Sequence, residues 1–166
     1  RQELVTGTSC ALAAKVRNYE IEAAFVAQPF PADGLAAIDA FKEELTLISP
    51  LAWGAITSAR DLGDRTVIAF AAGCSYRRIL ESWLNHEGLA PGRVMEFASY
   101  HAIVACVAAG SGVAIVPRSV LAVLGAEHSV CVSALSGPYA HAQTQLVWRA
   151  DDDTPALQAL RQQLVA

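Results

Sequence analysis

Apolar positions along the chain follow two rhythms, and the changes between them mark its elements. In 75–86, SYRRILESWLNH, residues Ile79, Leu80, Trp83 and Leu84 fall three and four apart, the face of an amphipathic helix. The same spacing in Leu12, Ala13 and Val16 predicts a helix after Gly7-Thr8-Ser9. Ser99 caps a third helix reaching Ala109, and Thr154-Pro155 opens a last one with Leu157, Leu160 and Leu164 inward. Short β-branched or apolar runs predict strands at 4–6, 23–26, 44–48, 66–70, 93–97 and 113–116, with further β segments near 130–132 and 143–148. One stretch, VAAGSGVAIVP at 107–117, passes directly from helix to strand. Gly110 fits the left-handed cap of the helix, Gly112 lets the strand start close against that helix end, and Pro117 ends the ladder because it has no N–H.

Strands separated by helices predict parallel sheets covered on both faces. The β-α-β outline occurs twice, so the chain reads as two α/β lobes facing a cleft, with crossings near Ser49-Pro50 and within 143–148. Ligands of such sheets bind where strand ends open into helix N-termini, because free N–H groups converge there. Three stretches qualify: GTS at 7–9, AAGCSY at 71–76 and FASYH at 97–101. The candidate ligand contacts are therefore Thr8, Ser9, Ala72, Gly73, Cys74, Ser75, Tyr76, Ser99 and Tyr100.

Several of these have a plainer reading. Capping alone accounts for one of Thr8 and Ser9, and for Ser99. Arg77 and Arg78 lie in a first helical turn, where the helix dipole disfavours cations. They point either to a nearby anion or to pairing with carboxylates such as Glu81, and the spacing favours the pairing. His86, His128 and His141 read as solvated.

Composition narrows the class. The 166 residues are 54% hydrophobic and 17% charged, enough to bury a core. No apolar run reaches the roughly twenty residues of a membrane span, and the N-terminus has no signal-peptide pattern, so a soluble, cytoplasmic protein without membrane partners is expected. A net charge of −4 with scattered cations is unsuited to gripping nucleic acid. The four cysteines have neither C-x-x-C nor metal-ligand spacing, so no metal, cofactor or disulfide framework is expected. Cys106 and Cys131 read as core fillers, whereas Cys74 sits in a turn. An enzyme would use Cys74 as a nucleophile, but only His101 offers itself as a base and nothing in the sequence places it within reach.

The runs FKEELTLISP (41–50), VIAFAAGCSYRRILESWLNHEGLAP (67–91) and VMEFASYHAIVACVAAGSGVAIVPRSVL (94–121) resemble the effector-binding domain of LysR-type transcriptional regulators, over essentially the whole chain. The resemblance implies two Rossmann-like lobes with a ligand cleft between them, a type 2 periplasmic-binding-protein-like fold connected by two crossover strands. Lobe one would comprise 1–49 with 144–166, and lobe two 50–143. It further implies a small-molecule effector, an anionic metabolite among the candidates, and assembly as a homodimer or tetramer. DNA binding would come only from an N-terminal winged helix-turn-helix outside this chain, as would the first strand and helix of lobe one. The segment at 7–26 departs from the family pattern, with Tyr19 at a usual glycine and Glu22 at a usual aspartate. Two alternatives stand beside ligand sensing. One is a thiol redox sensor acting through Cys74, for which the sequence offers no close second cysteine; the other is a transport-type solute-binding protein, for which it offers no leader.

Overall fold

The computed structural model describes residues 3–165. Its elements are α1 (Ser9–Arg17), β1 (Ala23–Ala27), β2 (Leu35–Ser49), β3 (Val67–Ala69), α2 (Ser75–His86), β4 (Val94–Glu96), α3 (Tyr100–Ala108), β5 (Ala114–Pro117), α4 (Arg118–Leu124), β6 (Cys131–Ala134), β7 (His141–Arg149) and α5 (Pro155–Val165). Three expectations are corrected. Residues 4–6 belong to no strand, and Leu4 stands 91% exposed. The strand expected at 44–48 is the end of a longer one, β2 over Leu35–Ser49, and Pro117 is followed at once by a helix, α4, that the apolar pattern does not predict.

The chain divides into two compact units. Unit 1 contains 1–42, 73–75 and 143–166, and unit 2 contains 43–72 and 76–142. β2 and β7 each run from one unit into the other, and residues 73–75 belong to unit 1 although the chain on both sides of them belongs to unit 2.

Unit 2 is built on a sheet whose alternating residues feed two cores, as the two-residue period of a strand requires. Leu47, Val67, Ala69 and Ile115 face Ile79, Leu80, Trp83 and Leu84 of α2. Ile48, Ile68, Ala114 and Val116 face Ile103, Val104 and Val107 of α3 and Leu121 of α4. Covering on both faces matches the sequence expectation; a wholly parallel sheet does not. β3 runs parallel to β4, and Val67 bridges Val113 in parallel, but β2 lies antiparallel to both β5 and β6. The reversal arises because β2 enters as a crossover strand and not through a β-α-β connection.

Gly112 makes the β3–β5 junction possible. A Cβ on it would lie 2.4 Å from the carbonyl oxygen of Thr66. That oxygen accepts from the Val113 N–H at 3.0 Å, and the Ile68 N–H donates to the Val113 carbonyl at 2.7 Å. The glycine is thus what lets two backbones meet side by side, and the turn is a packing element.

In unit 1, β7 pairs antiparallel with β1 over Thr144–Trp148. One face buries Val16 of α1 against Ala24, Val26 and Val147; the other buries Leu157 of α5 against Leu146 and Trp148. The C-terminal end of α1 is held by Arg149, 9% exposed, which donates to the Val16 carbonyl and, at 2.9 Å, to that of Ile21. A guanidinium suits this end of a helix, where carbonyls lack intrahelical partners. Asp152 balances its charge, and its Cζ lies 4.4 Å over the ring of Tyr19. Tyr19 itself has φ +61°, a left-handed backbone where the resemblance has glycine.

Candidate functional site

Four of the candidate residues of unit 1 converge at the start of α1. Thr8 has the extended backbone of an N-cap, and its Oγ1 accepts from the Ala11 N–H at 3.3 Å. Ser9, the first helical residue, uses its Oγ to accept from the Ala27 N–H at 3.1 Å. Ser75, only 1% exposed, donates from its Oγ to the Ala27 carbonyl and also faces the Pro29 carbonyl at 3.2 Å. The two serines therefore serve both backbone groups of the last residue of β1. Their hydroxyls hold the strand end, the helix start and the 73–75 segment in register.

Gly73 completes this cluster. Its φ is +92°, and a Cβ there would approach Thr8 Oγ1 to 3.1 Å and the Cys10 Cβ to 3.5 Å. The Gly73 carbonyl accepts from the Cys10 N–H at 3.4 Å. Cys74 follows it, partly exposed, immediately before α2. The sequence carried no sign of Cys10, because its neighbours in space lie some sixty residues away along the chain and no motif joins them.

The other candidates lie in unit 2. Ser99 caps α3 through an Oγ that accepts from the Ala102 N–H at 3.3 Å. The Tyr100 ring packs edge-on against Phe70 with centroids 4.9 Å apart, and lies 6.4 Å from the Tyr76 ring. The Tyr76 hydroxyl donates to the Glu43 carboxylate. Burial above all, then Tyr100 and the bond to Glu43, holds this phenol well above the ordinary tyrosine range. Ala72 is exposed in the turn before Gly73. Phe70, Ser99 and Tyr100 form one side of a groove of about 480 Å³, with Val120, Val123 and Leu124 of α4 on the other. Sequence pattern alone missed this groove with the helix that walls it; seven residues, RSVLAVL, are too short to display a helical period.

Arg77 resolves the question of an anion at the start of α2. Its Nε donates to Glu81 at 2.8 Å, and its Nη1 donates to Glu96 at 2.7 Å and faces the Phe70 carbonyl at 3.4 Å. Glu81 first, then Glu96, raises its pKa further. The protein's own carboxylates thus supply the charge that the helix start seemed to lack. Among the described residues, no group of three or more His, Cys, Asp or Glu is placed to hold a metal ion, and no helix is long and apolar enough to cross a membrane.

Comparison with known proteins agrees with this architecture. A family model for the LysR substrate binding domain matches residues 1–166. The chain is 35% identical over 157 residues to the HTH-type transcriptional regulator GltR of Bacillus subtilis (strain 168), covering 94% of this chain and 53% of that protein. It is 33% identical over 148 residues to the HTH-type transcriptional regulator SoxR of Arthrobacter sp. (strain TE1826), covering 89% and 50%. The chain spans about half the length of these relatives, both of them HTH-type transcriptional regulators. Among solved structures it resembles the effector binding domain of QuiR in complex with shikimate, with TM-score 0.76 and 20% identity, covering 94% of this chain and 76% of that one. It also resembles full-length CbnR complexed with its target DNA, with TM-score 0.73 and 19% identity, covering 98% and 58%. The fold is thereby the α/β, type 2 periplasmic-binding-protein-like one.

Proposed function

Because the chain belongs to the LysR substrate binding domain family, we propose that it is the ligand-sensing regulatory domain of a bacterial LysR-type transcriptional regulator. The observation that carries this reading is the family match over the whole chain, supported by relatives that are themselves transcriptional regulators. The effector is a small metabolite, with an anion among the candidates because helix starts favour negative charge. Lobe one is 1–49 with 144–166, and lobe two is 50–143. Ligand binding acts by differential affinity for two states of the domain, since only that difference shifts their balance. The response reaches DNA through a helix-turn-helix supplied elsewhere in a homodimeric or tetrameric regulator in the cytoplasm.

Thr8, Gly73 and Cys74 are the proposed contacts in unit 1, and Ala72, Tyr76, Ser99 and Tyr100 those in unit 2. Ser9 and Ser75 act beneath them, since their hydroxyls are engaged with Ala27. The test is a thermal-unfolding screen of the chain against small carboxylates, phosphates and neutral metabolites, followed by calorimetric titration. A saturable rise in unfolding temperature with one chemical class is expected. Thr8→Ala then weakens that ligand about tenfold, the equivalent of one hydrogen bond to a charged group. Undiminished affinity in Thr8→Ala removes Thr8 from the site, and a screen in which every class leaves unfolding unchanged overturns the sensing role.

A further inference from the structure

The structure brings together two cysteines that the sequence keeps far apart, and we propose that Cys10 and Cys74 form a reversible disulfide, a redox modification site in unit 1. This goes beyond the ligand-sensing reading and does not depend on it. All four cysteines are thiols in the structure, and both Cys10 and Cys74 are partly exposed, so an oxidant can reach them. The Cys10 N–H donates to the Gly73 carbonyl at 3.4 Å, and the Cys74 Cα is attached through the next peptide nitrogen. Standard bond lengths then limit the separation of the two Cα atoms to less than roughly 7.7 Å, and the bond path bends, bringing them closer still. A disulfide spans about 4.4–6.8 Å between Cα atoms. The Cys10 side chain also borders the backbone that leads into Cys74: its Cβ lies 3.5 Å from the position a Cβ would take on Gly73. Gly73 leaves that space open, with φ +92° and no side chain of its own.

The chemistry balances with a peroxide as the oxidant. The thiolate of one cysteine attacks the peroxide oxygen, giving a sulfenic acid and water. The second thiol attacks that sulfur, forming the S–S bond and releasing a second water. Two thiols and one hydrogen peroxide thus become one cystine and two waters, and thiol–disulfide exchange with a dithiol restores the reduced form. Cys106 and Cys131 do not take part: each belongs to unit 2, where Cys106 packs with the α3 core and Cys131 lies in β6. The cystine would add a covalent tie beside the amide hydrogen bond between the first turn of α1 and the segment that precedes α2.

The test is peptide mapping of the chain after treatment with hydrogen peroxide and alkylation of the remaining thiols. Trypsin releases Cys10 within residues 2–15 and Cys74 within 66–77, one cysteine in each peptide. The expected result is a joined peptide pair lighter by two hydrogens, found in the monomer and separated by dithiothreitol. Reactive thiols in the denatured chain fall from the four of the sequence to two. Cys10→Ser and Cys74→Ser each abolish the joined pair, while the Cys106→Ser/Cys131→Ser variant keeps it. Four thiols surviving the treatment, a bond to Cys106 or Cys131, a bond between chains only, or over-oxidation of Cys74 to sulfinic acid without the joined pair each overturns the proposal. Because mapping reads thiol chemistry alone, its failure leaves the ligand screen untouched, and failure of that screen leaves the mapping result untouched.

Discussion

Two glycine turns in this molecule look alike in the sequence and do different work. At Gly112 the obstacle to a side chain is a backbone oxygen 2.4 Å away, fixed by its own hydrogen bond to Val113. At Gly73 the nearest obstacle is the Thr8 hydroxyl at 3.1 Å, the end of a side chain that can rotate, and the residue's φ of +92° is the larger constraint. The first turn closes a core, with the Thr66 backbone and the Ile68 side chain against it. The second gathers Thr8, Cys10 and, through its flanking residues, Ser75. What surrounds a glycine, more than the glycine itself, separates a packing joint from a place where chemistry collects.

The sharpest way to break this contrast is Gly112→Ala. The Cβ has nowhere to go without parting the β3–β5 junction, so a loss of about 3 kcal/mol is expected, read as a lower denaturant midpoint. Gly73→Ala comes next and should cost about 1–2 kcal/mol for the left-handed backbone. Adding Thr8→Ala should recover part of any steric share, so a double-mutant cycle at 8 and 73 should be non-additive. No such rescue is expected at 112. Ser75→Ala follows. If the hydroxyl serves the backbone of 27–29, its removal leaves a part-buried carbonyl short of a donor and costs about 1 kcal/mol; unchanged stability would return Ser75 to the ligand contacts.

A smaller effect is confined to alkaline solution. Tyr76 keeps its proton in the folded chain when an unfolded tyrosine has lost it. Its contribution to stability is therefore intact below pH 10, the ordinary tyrosine value, and is lost as the pH climbs above it. Tyr76→Phe should flatten that alkaline decline in a series of denaturant midpoints. The smallest effect is expected for Tyr19→Gly. Relief of the left-handed backbone, about 1 kcal/mol, is offset by loss of the contact with Arg149, about 0.5–1 kcal/mol, so the unfolding midpoint should hardly move.

Elements with a full period of apolar residues are legible in the amino-acid pattern alone. The face of α2 and the cap of α3 at Ser99 fall where the pattern puts them; Gly112 is a close approach, but to the Thr66 backbone and not to the helix end. β2 is not legible as one strand, because Lys42, Glu43 and Glu44 interrupt its apolar alternation where the strand passes from half-exposed residues to five fully buried ones. Its antiparallel pairing with β5 and β6 depends on tertiary topology that no local rhythm records. The candidate residues stand out as types suited to helix starts, but the role of Ser75 turns on Ala27, a partner 48 positions away. The same gap hides Cys10 from Cys74.

Arg149 and Tyr19 bear on how this sequence can change over generations. A bulky residue in a left-handed position is a poor neighbour for most backgrounds, yet here its ring lies against a guanidinium that also binds the end of α1. Replacement of Arg149 would strip the tyrosine of its compensation, whereas a chain with glycine at 19 would lose only the helix contacts. The order in which the two substitutions arise therefore matters: a path through glycine at 19 first is open, and one through loss of Arg149 first is steep. Among relatives, an aromatic side chain at the position of Tyr19 should seldom occur without arginine at that of Arg149.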